Sequence, residues 1–217
     1  MAYTPIEISR AALLSSIDHL APALPQVEML PVCADFTRPV AVPLPEREPA
    51  RRLLFFPGST LGNFEGEDAV ALLRAMRQTM GRDGLALVGI DLHKDPALIE
   101  AAYNDAQGLT AAFTLNLLAR LNREIGSDFD LDGFRHRARY SIARLRIETD
   151  LVSRWAQDVH LEGRTFHFAA DEPIRVEYSH KYTDDSFEAL LQEAGLQVTQ
   201  RWNADSPAYG LRLLRAT

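Results

Sequence analysis

Apolar residues in the first part of the chain come in short blocks that alternate between strand-like and helix-like patterns. Residues 53–56 and 84–92 are almost continuously apolar, as is typical of strands buried on both faces of a parallel sheet. Between them, residues 65–80 repeat apolar side chains at helical spacing, begin with acids and stop at Gly81. This strand–helix–strand order predicts a parallel, doubly wound α/β sheet.

Two more strands are predicted upstream, at 3–8 and 27–34, with a helix between them that is capped by Ser9. We expect Pro22 and Pro25 to end this helix. Residues 38–49 carry four prolines and predict an extended connection.

The pattern changes after Lys94. Helices are predicted at 96–104, 108–125 and 130–137. From 140 to 181 apolar and polar residues alternate, which predicts an antiparallel β segment with a hairpin near Gly163. The predicted domain boundaries are therefore a core at 1–94, an inserted α+β domain at 95–181 and a return to the core at 182–217.

The returning segment predicts a helix at 184–194 that stops at Gly195. A closing hairpin is predicted from 197–203 and 209–214.

The charge and the cysteine content limit the binding partners and the compartment expected for this chain. The chain has 23 Lys and Arg against 30 Asp and Glu, a net charge of −7, which disfavours binding to nucleic acid or to anionic membranes. Its single cysteine, Cys33, excludes an internal disulfide and fits a reducing, cytoplasmic compartment. We see no apolar run of membrane-spanning length and no signal-peptide pattern near Met1.

Candidate chemistry begins at the carboxyl ends of the predicted core strands, where open α/β sheets bind ligands. Glu7, Asp35 and Asp91 are acids at such ends, suited to ribose hydroxyls or an adenine amine, with helix capping or solvation as the alternative. Residues 57–63 form a turn with two glycines beside Ser, Thr and Asn. The alternative for this segment is an ordinary tight turn.

The inserted segment adds three polar candidates. Tyr103 lies in a predicted helix, and its alternative role is core packing. Glu177 and Ser179 are two residues apart on a predicted strand, so both project from one face. A carboxylate beside a hydroxyl can hold a small polar ligand, and the alternative is a solvated strand face.

Other chemistries have no support in the sequence. The six histidines, at positions 19, 93, 136, 160, 167 and 180, show no metal-ligand spacing. We find no Gly-x-Ser-x-Gly elbow, phosphate-binding Walker loop or Cys–His pattern. The arginines between 135 and 146 alternate with other residues, which indicates a solvated or salt-bridged face.

Several of these segments together resemble one family, the histidine-specific S-adenosylmethionine-dependent methyltransferases. The segments are Phe56-Pro-Gly-Ser-Thr-Leu-Gly-Asn-Phe64, Asp91-Leu-His-Lys-Asp95, Ala102-Tyr-Asn-Asp-Ala-Gln-Gly-Leu-Thr-Ala-Ala-Phe113, residues 116–130 and Val176-Glu-Tyr-Ser-His-Lys-Tyr182. The resemblance extends over essentially the whole chain. It implies a Rossmann-like methyltransferase core with an inserted substrate-binding domain, and methylation of the α-amino group of L-histidine to trimethylhistidine (hercynine) in ergothioneine biosynthesis.

The resemblance also implies roles for substrate-binding residues. Asn63 and Tyr103 match the residues that hold the substrate's α-amino and carboxylate groups, and they are also the expected catalytic residues. Glu177 and Ser179 match the pair that holds the imidazole. Thr149 stands beside the imidazole where the family often has Met.

For the cofactor, S-adenosylmethionine, the resemblance implies a second set of residues. Glu7 matches the acid that binds the ribose, although the family usually has Asp there. Asp35 and Phe36 match the pair that flanks the adenine, and Gly58 and Ser59 belong to the cofactor-side turn. No metal is implied.

One feature of the family is not found in this sequence. Family chains begin with a further strand and helix that carry a glycine-rich loop, whereas this sequence starts at the second core strand. Since unpaired buried backbone groups cost about 1–3 kcal/mol each, we expect a homodimer or a partner chain to complete the sheet. The alternatives for function are methylation of another amino acid or amine, or a truncated, non-catalytic binding remnant.

Overall fold

In the computed structural model, the chain leaves one structural unit at Leu92 and returns to it at Tyr182. The first unit comprises Met1–Leu92 and Tyr182–Thr217, and the second is His93–Lys181. The structure describes residues 1–204 and 208–217.

The elements follow in chain order. The first unit starts with β1 (Ala2–Tyr3), β2 (Ile6–Glu7), α1 (Arg10–Ala23), β3 (Glu28–Met29), β4 (Val32–Cys33), β5 (Leu53–Phe56), α2 (Gly66–Met80) and β6 (Leu85–Asp91). The second unit follows with α3 (Pro96–Tyr103), α4 (Leu109–Ile125), β7 (Phe134–Ser141), β8 (Arg146–Ser153), β9 (Gln157–Leu161), β10 (Arg164–Phe168) and β11 (Pro173–His180). The first unit resumes with α5 (Asp184–Ala194), β12 (Leu196–Ala204) and β13 (Tyr209–Ala216).

The main sheet of the first unit is mixed, with strand order β12-β13-β6-β5. β5 and β6 are parallel, while β13 runs antiparallel to both β6 and β12. The predicted closing hairpin is therefore confirmed as β12 and β13, and residues 205–207 of its connection lie outside the described residues. Two short parallel ladders, β1 with β3 and β2 with β4, form separately.

Helices α2 and α5 cover this sheet because each presents one apolar stripe. Leu73 of α2, Val88 of β6 and Phe187 of α5 are almost completely buried in the same cluster. Each contributes about 1.5–3 kcal/mol relative to an exposed side chain. The predicted N-cap Ser9 is also confirmed, since its hydroxyl accepts from the Ala12 N–H at 3.3 Å.

The expectation that β5 is buried on both faces is wrong. Leu53 is 59% and Phe55 62% exposed, whereas the alternate residues Leu54 and Phe56 are partly buried. The reason is that alternate side chains of β5 point to opposite faces, and only the Leu54 and Phe56 face packs against the core cluster. A cleft of about 1460 Å³ extends beside the strand, lined by β5 together with residues of β2, α1 and the 40–52 connection.

The second unit is built on an antiparallel sheet of order β11-β8-β7, with β9 and β10 as a separate hairpin. A helix was expected at 130–137, and this prediction is wrong. Only Leu131–Gly133 forms a single 3-10 turn, and β7 begins at Phe134. The strand forms because Phe134, Ala138 and Tyr140 are buried at alternating positions.

The two faces of this sheet differ in chemistry. On one face, Ile99 of α3 packs against Ala138, Tyr140 and Ile147. The other face carries the salt bridges Arg137–Asp150 (2.8 Å), Arg146–Glu148 (2.8 Å) and Arg175–Asp150 (2.6 Å). The first two confirm the salt-bridged face that was predicted for the arginines between 135 and 146.

Candidate functional site

The polar candidates of the second unit lie on the apolar, helix-covered face of its sheet. Glu177 pairs across the ladder with Thr149, and Ser179 pairs with Ile147. Opposite residues of an antiparallel pair share a face, so these four side chains project together. In β11, a register shift between Arg175 and Glu177 lies just before Glu177 and Ser179.

Tyr103, the last residue of α3, reaches this face from the helix layer. Its ring packs against the cluster around Ile99 and Tyr140, and its hydroxyl donates to Ser179 Oγ at 2.7 Å. Two of the residues predicted for substrate binding are thus in direct contact.

The segment around Tyr103 is held by several local hydrogen bonds. His136 Nε2 donates to the Tyr103 carbonyl at 2.9 Å, and Asn104 Nδ2 donates to the Ala138 carbonyl at 3.0 Å. The Asp105 carboxylate accepts from the N–H groups of Thr110 and Leu109, both at 2.8 Å, where α4 begins. The Thr110 hydrogen bond, followed by that of Leu109, lowers the pKa of Asp105 to about 2.

Lys181 is a residue of this group to which sequence reasoning gave no role. Its side chain is 2% exposed, and its ammonium donates to Tyr103 Oη at 2.9 Å and to Ser179 Oγ at 2.8 Å. The available signal was its spacing, because residues 177, 179 and 181 follow the two-residue period of one strand face.

Glu177 lies close enough to Lys181 to respond to its charge. Burial raises the pKa of Glu177, and the positive charge of Lys181 opposes that shift. Thr149, directly across the ladder, is 3% exposed. Within the described part of the chain, its Oγ1 has no hydrogen-bond partner, so this face holds a buried hydroxyl able to serve a ligand or a neighbouring carboxylate.

The 57–63 turn belongs to the first unit and is fixed to β6. The Asp91 N–H donates to Ser59 Oγ at 2.9 Å, and the Tyr209 hydroxyl donates to the Pro57 carbonyl. A Cβ at Gly89 would overlap that same carbonyl, so only glycine allows so close an approach.

Three residues of this turn were predicted to contact ligands. Ser59 has φ 55°, a left-handed conformation that is uncommon for a residue other than glycine and often marks functional turns. Asn63 ends the following one-turn helix Thr60–Asn63 and is exposed. Gly58 precedes Ser59, and a Cβ there would meet Thr60 Oγ1 at an ordinary 3.5 Å.

The acids predicted for the cofactor make local hydrogen bonds at strand ends of the first unit. Glu7 Oε1 accepts from the Ser9 N–H at 2.8 Å, just before α1. Asp35 Oδ1 accepts from the Thr37 hydroxyl at 2.7 Å and from the Thr37 N–H at 2.9 Å. The hydroxyl contact, then the N–H contact, lowers the pKa of Asp35. The Phe36 ring lies 5.6 Å from Phe56.

The described residues offer neither a metal cluster nor a membrane-spanning helix. No group of three or more His, Cys, Asp or Glu side chains there is arranged to hold a metal ion. Likewise, none of the helices in the described ranges is both long enough and apolar enough to cross a membrane.

Comparison with solved structures shows the fold. A crystal structure of a S-adenosylmethionine-dependent methyltransferase from Clostridium acetobutylicum ATCC 824 superposes with a TM-score of 0.51 at 10% identity. The match covers 100% of this chain and 75% of that one. At this identity the similarity shows the fold, which is a Rossmann-like methyltransferase fold.

The family is shown by sequence. The model described as "Histidine-specific methyltransferase, SAM-dependent" matches residues 1–216. The chain belongs to this family, and the resemblance stated from its motifs is confirmed.

Two curated relatives are named Histidine N-alpha-methyltransferase. The protein from Mycolicibacterium smegmatis is 36% identical over 214 residues, and that from Mycobacterium tuberculosis is 34% identical over 213. Each match covers 97% of this chain and 65% of the relative. The chain therefore spans about two thirds of the length of these relatives.

Proposed function

We propose that this protein transfers methyl groups from S-adenosylmethionine to the α-amino group of L-histidine, giving trimethylhistidine for ergothioneine biosynthesis. The observation that carries the proposal is the grouping of Tyr103, Glu177 and Ser179 on one sheet face of the second unit. Those residues match the family's substrate motif, and the mycobacterial relatives carry the corresponding name. Family membership and these names do not favour another amine as substrate.

Substrate recognition rests on complementary hydrogen bonding. The Glu177 carboxylate accepts an imidazole N–H, and Ser179 bonds the second ring nitrogen. The buried Thr149 hydroxyl lines the same face. Buried polar groups of this kind reject analogues that leave them unpaired, since each unpaired group costs about 1–3 kcal/mol.

Tyr103 and Asn63 are proposed to bind the substrate's α-amino and carboxylate groups. Tyr103 is supported by its contact with Ser179. The role of Asn63 rests on the family motif and on its place at the end of a turn at a strand's carboxyl end.

The side chains of the first unit fit a nucleoside cofactor. The Thr37 hydrogen bonds favour the ionised form of Asp35, which makes it an acceptor suited to an adenine amine, and Phe36 offers an apolar ring beside it. Glu7 would accept from ribose hydroxyls, while Gly58 and Ser59 would approach through the backbone. When bound, S-adenosylmethionine supplies an electrophilic methyl on a sulfonium that is already a good leaving group.

The protein's own contribution to the reaction is positioning. The attacking amine must be neutral, and in the first methyl transfer hydrogen bonds from its two N–H groups to Tyr103 and Asn63 would direct its lone pair. Such alignment and the exclusion of water are worth several powers of ten in rate without a strong base.

A further strand is proposed to pair with β5, supplied by a second copy or by another chain. This is supported by the exposure of Leu53 and Phe55 and by the 1460 Å³ cleft beside them. Hydrogen exchange measured across residues 53–56 in solution tests it. We expect protection of all four amides, and rapid exchange of the amides that face away from β6 would contradict the proposal.

Calorimetry with L-histidine tests the function itself. We expect Glu177→Ala to weaken L-histidine binding at least about tenfold, the loss expected for one charged hydrogen bond. Glu193→Ala, at an exposed position of α5, is the matched control and keeps the wild-type affinity. Unchanged affinity in Glu177→Ala would overturn the assigned role, and absence of L-histidine binding by the wild type would overturn the function.

A further inference from the structure

Lys181 forms one corner of a hydrogen-bonded triangle with Tyr103 and Ser179 in the second unit. Its ammonium contacts both Tyr103 Oη (2.9 Å) and Ser179 Oγ (2.8 Å), which contact each other at 2.7 Å. The Lys181 side chain is 2% exposed. A cation this deeply buried is costly to keep, so its retention calls for a local role.

The hydrogen bonds of this triangle can be counted. An ammonium only donates, so Lys181 occupies one acceptor site on each hydroxyl oxygen. The contact between Tyr103 and Ser179 then uses one hydroxyl proton and one more acceptor site. With Tyr103 as donor, Ser179 has no acceptor site left and can only donate to a ligand. Tyr103 keeps one site, which can accept from an amine N–H.

The Glu177 carboxylate beside Ser179 accepts hydrogen bonds, whereas Ser179 can only donate to a ligand. As long as Glu177 is ionised, it can only accept. The face therefore presents an acceptor at Glu177 and a donor at Ser179. A ring that matches both needs one N–H and one bare nitrogen, as neutral imidazole has. An indole has an N–H but no bare nitrogen.

We propose that Lys181 is a positioning residue that sets this hydrogen-bond polarity and thereby selects imidazole over indole side chains. The inference rests on the proposed function and goes beyond it by assigning specificity to a residue that acts through Ser179 and Tyr103. Without Lys181, Ser179 regains an acceptor site and can receive an indole N–H.

The decisive quantity is the ratio of affinities for L-histidine and L-tryptophan, measured by calorimetry on the full chain. We expect Lys181→Met, which keeps an unbranched side chain one atom shorter but cannot donate, to lower this ratio at least about tenfold. Lys181→Arg retains donors and is expected to retain most of the ratio. A parallel loss for both ligands, or an unchanged ratio in Lys181→Met, would show a merely structural role and overturn the inference.

One further variant keeps the test decisive if Lys181→Met does not fold, and a second comparison applies where Lys181→Met folds. Tyr103→Phe also frees an acceptor site on Ser179 while leaving Lys181 in place, and we expect the ratio to fall in the same direction. In a Ser179→Ala background the effect of Lys181→Met on the ratio should vanish, because the two act as one unit. An unchanged ratio in Tyr103→Phe contradicts the hydrogen-bond count. If the wild type binds L-histidine but the variants leave the affinity ratio unchanged, the role of Lys181 alone is overturned. If the wild type does not bind L-histidine, the proposed function is overturned as well.

Discussion

The Tyr103 hydroxyl donates a 2.7 Å hydrogen bond to Ser179 Oγ across 76 residues of sequence. The contact joins the end of helix α3 to strand β11 and brings together two residues that were predicted separately. Because each of them is proposed to contact the substrate, one bound molecule would touch both ends of the inserted segment.

The ionisation of Glu177 should make stability depend on pH. Burial raises the pKa of Glu177 above its ordinary value of 4.5, so the folded state favours the protonated form. The wild type should therefore lose free energy of unfolding relative to Glu177→Gln as pH rises through that pKa. Urea unfolding of both proteins between about pH 4 and pH 7 measures the difference. A difference that stays constant, or that grows in favour of the wild type, would contradict the assignment.

Asp105 should show the opposite pH dependence. Its pKa is lowered to about 2 by the N–H groups of Thr110 and Leu109, so its contribution is present above the ordinary value of 3.8 and is lost as pH falls toward 2. We expect Asp105→Asn to lower the free energy of unfolding at neutral pH and to differ less from the wild type in acid. Asp132→Asn, at an exposed position, serves as the control. Equal effects of both variants at neutral pH would count against the prediction.

We expect the unpartnered hydroxyl of Thr149 to lower the stability of the free protein and to contribute to L-histidine binding. Thr149→Val removes a buried polar atom that has no partner among the described residues, so the free energy of unfolding should rise by about 1 kcal/mol. L-Histidine affinity should fall if this hydroxyl serves the substrate. In the control Thr114→Val, the lost hydroxyl donates to the Thr110 carbonyl at 2.9 Å, so no gain in stability is expected. A stability loss in Thr149→Val would show that the hydroxyl is satisfied in the free protein.

Replacing Asn63 tests the part of the proposed site that rests on the family motif. We expect Asn63→Ala to weaken L-histidine binding about tenfold while Tm is retained, because the residue is exposed. Calorimetry and thermal unfolding of the same preparation measure both. Gln78→Ala, also exposed, is the control. Wild-type affinity in Asn63→Ala would remove Asn63 from the proposed site.

Much of the local structure could be predicted because its signals are local. Ser9 caps α1 through Ala12, and Gly195 ends α5 with φ 70°, a conformation in which glycine is favoured. The common face of Glu177 and Ser179 follows from the two-residue period of a strand alone. The prediction that such a face holds L-histidine came from the resemblance to the family motifs.

The features that sequence reasoning missed depend on distant contacts. Residues 130–137 allow a helix by propensity, but β7 forms because Phe134 and its alternate neighbours are buried under α3 and α4. Leu53 and Phe55 have the composition of a buried strand, but they lie on the face opposite the one that packs into the core through Leu54 and Phe56. Lysine is usually a surface residue, and the local sequence gives no sign that Lys181 contacts Tyr103, which is 78 residues away.

A crystal structure of the chain with bound L-histidine tests the central claim most directly. We predict the imidazole within hydrogen-bond distance of both the Glu177 carboxylate and Ser179 Oγ, with the substrate amine at Tyr103. An imidazole bound away from Glu177 and Ser179 would contradict the proposed site.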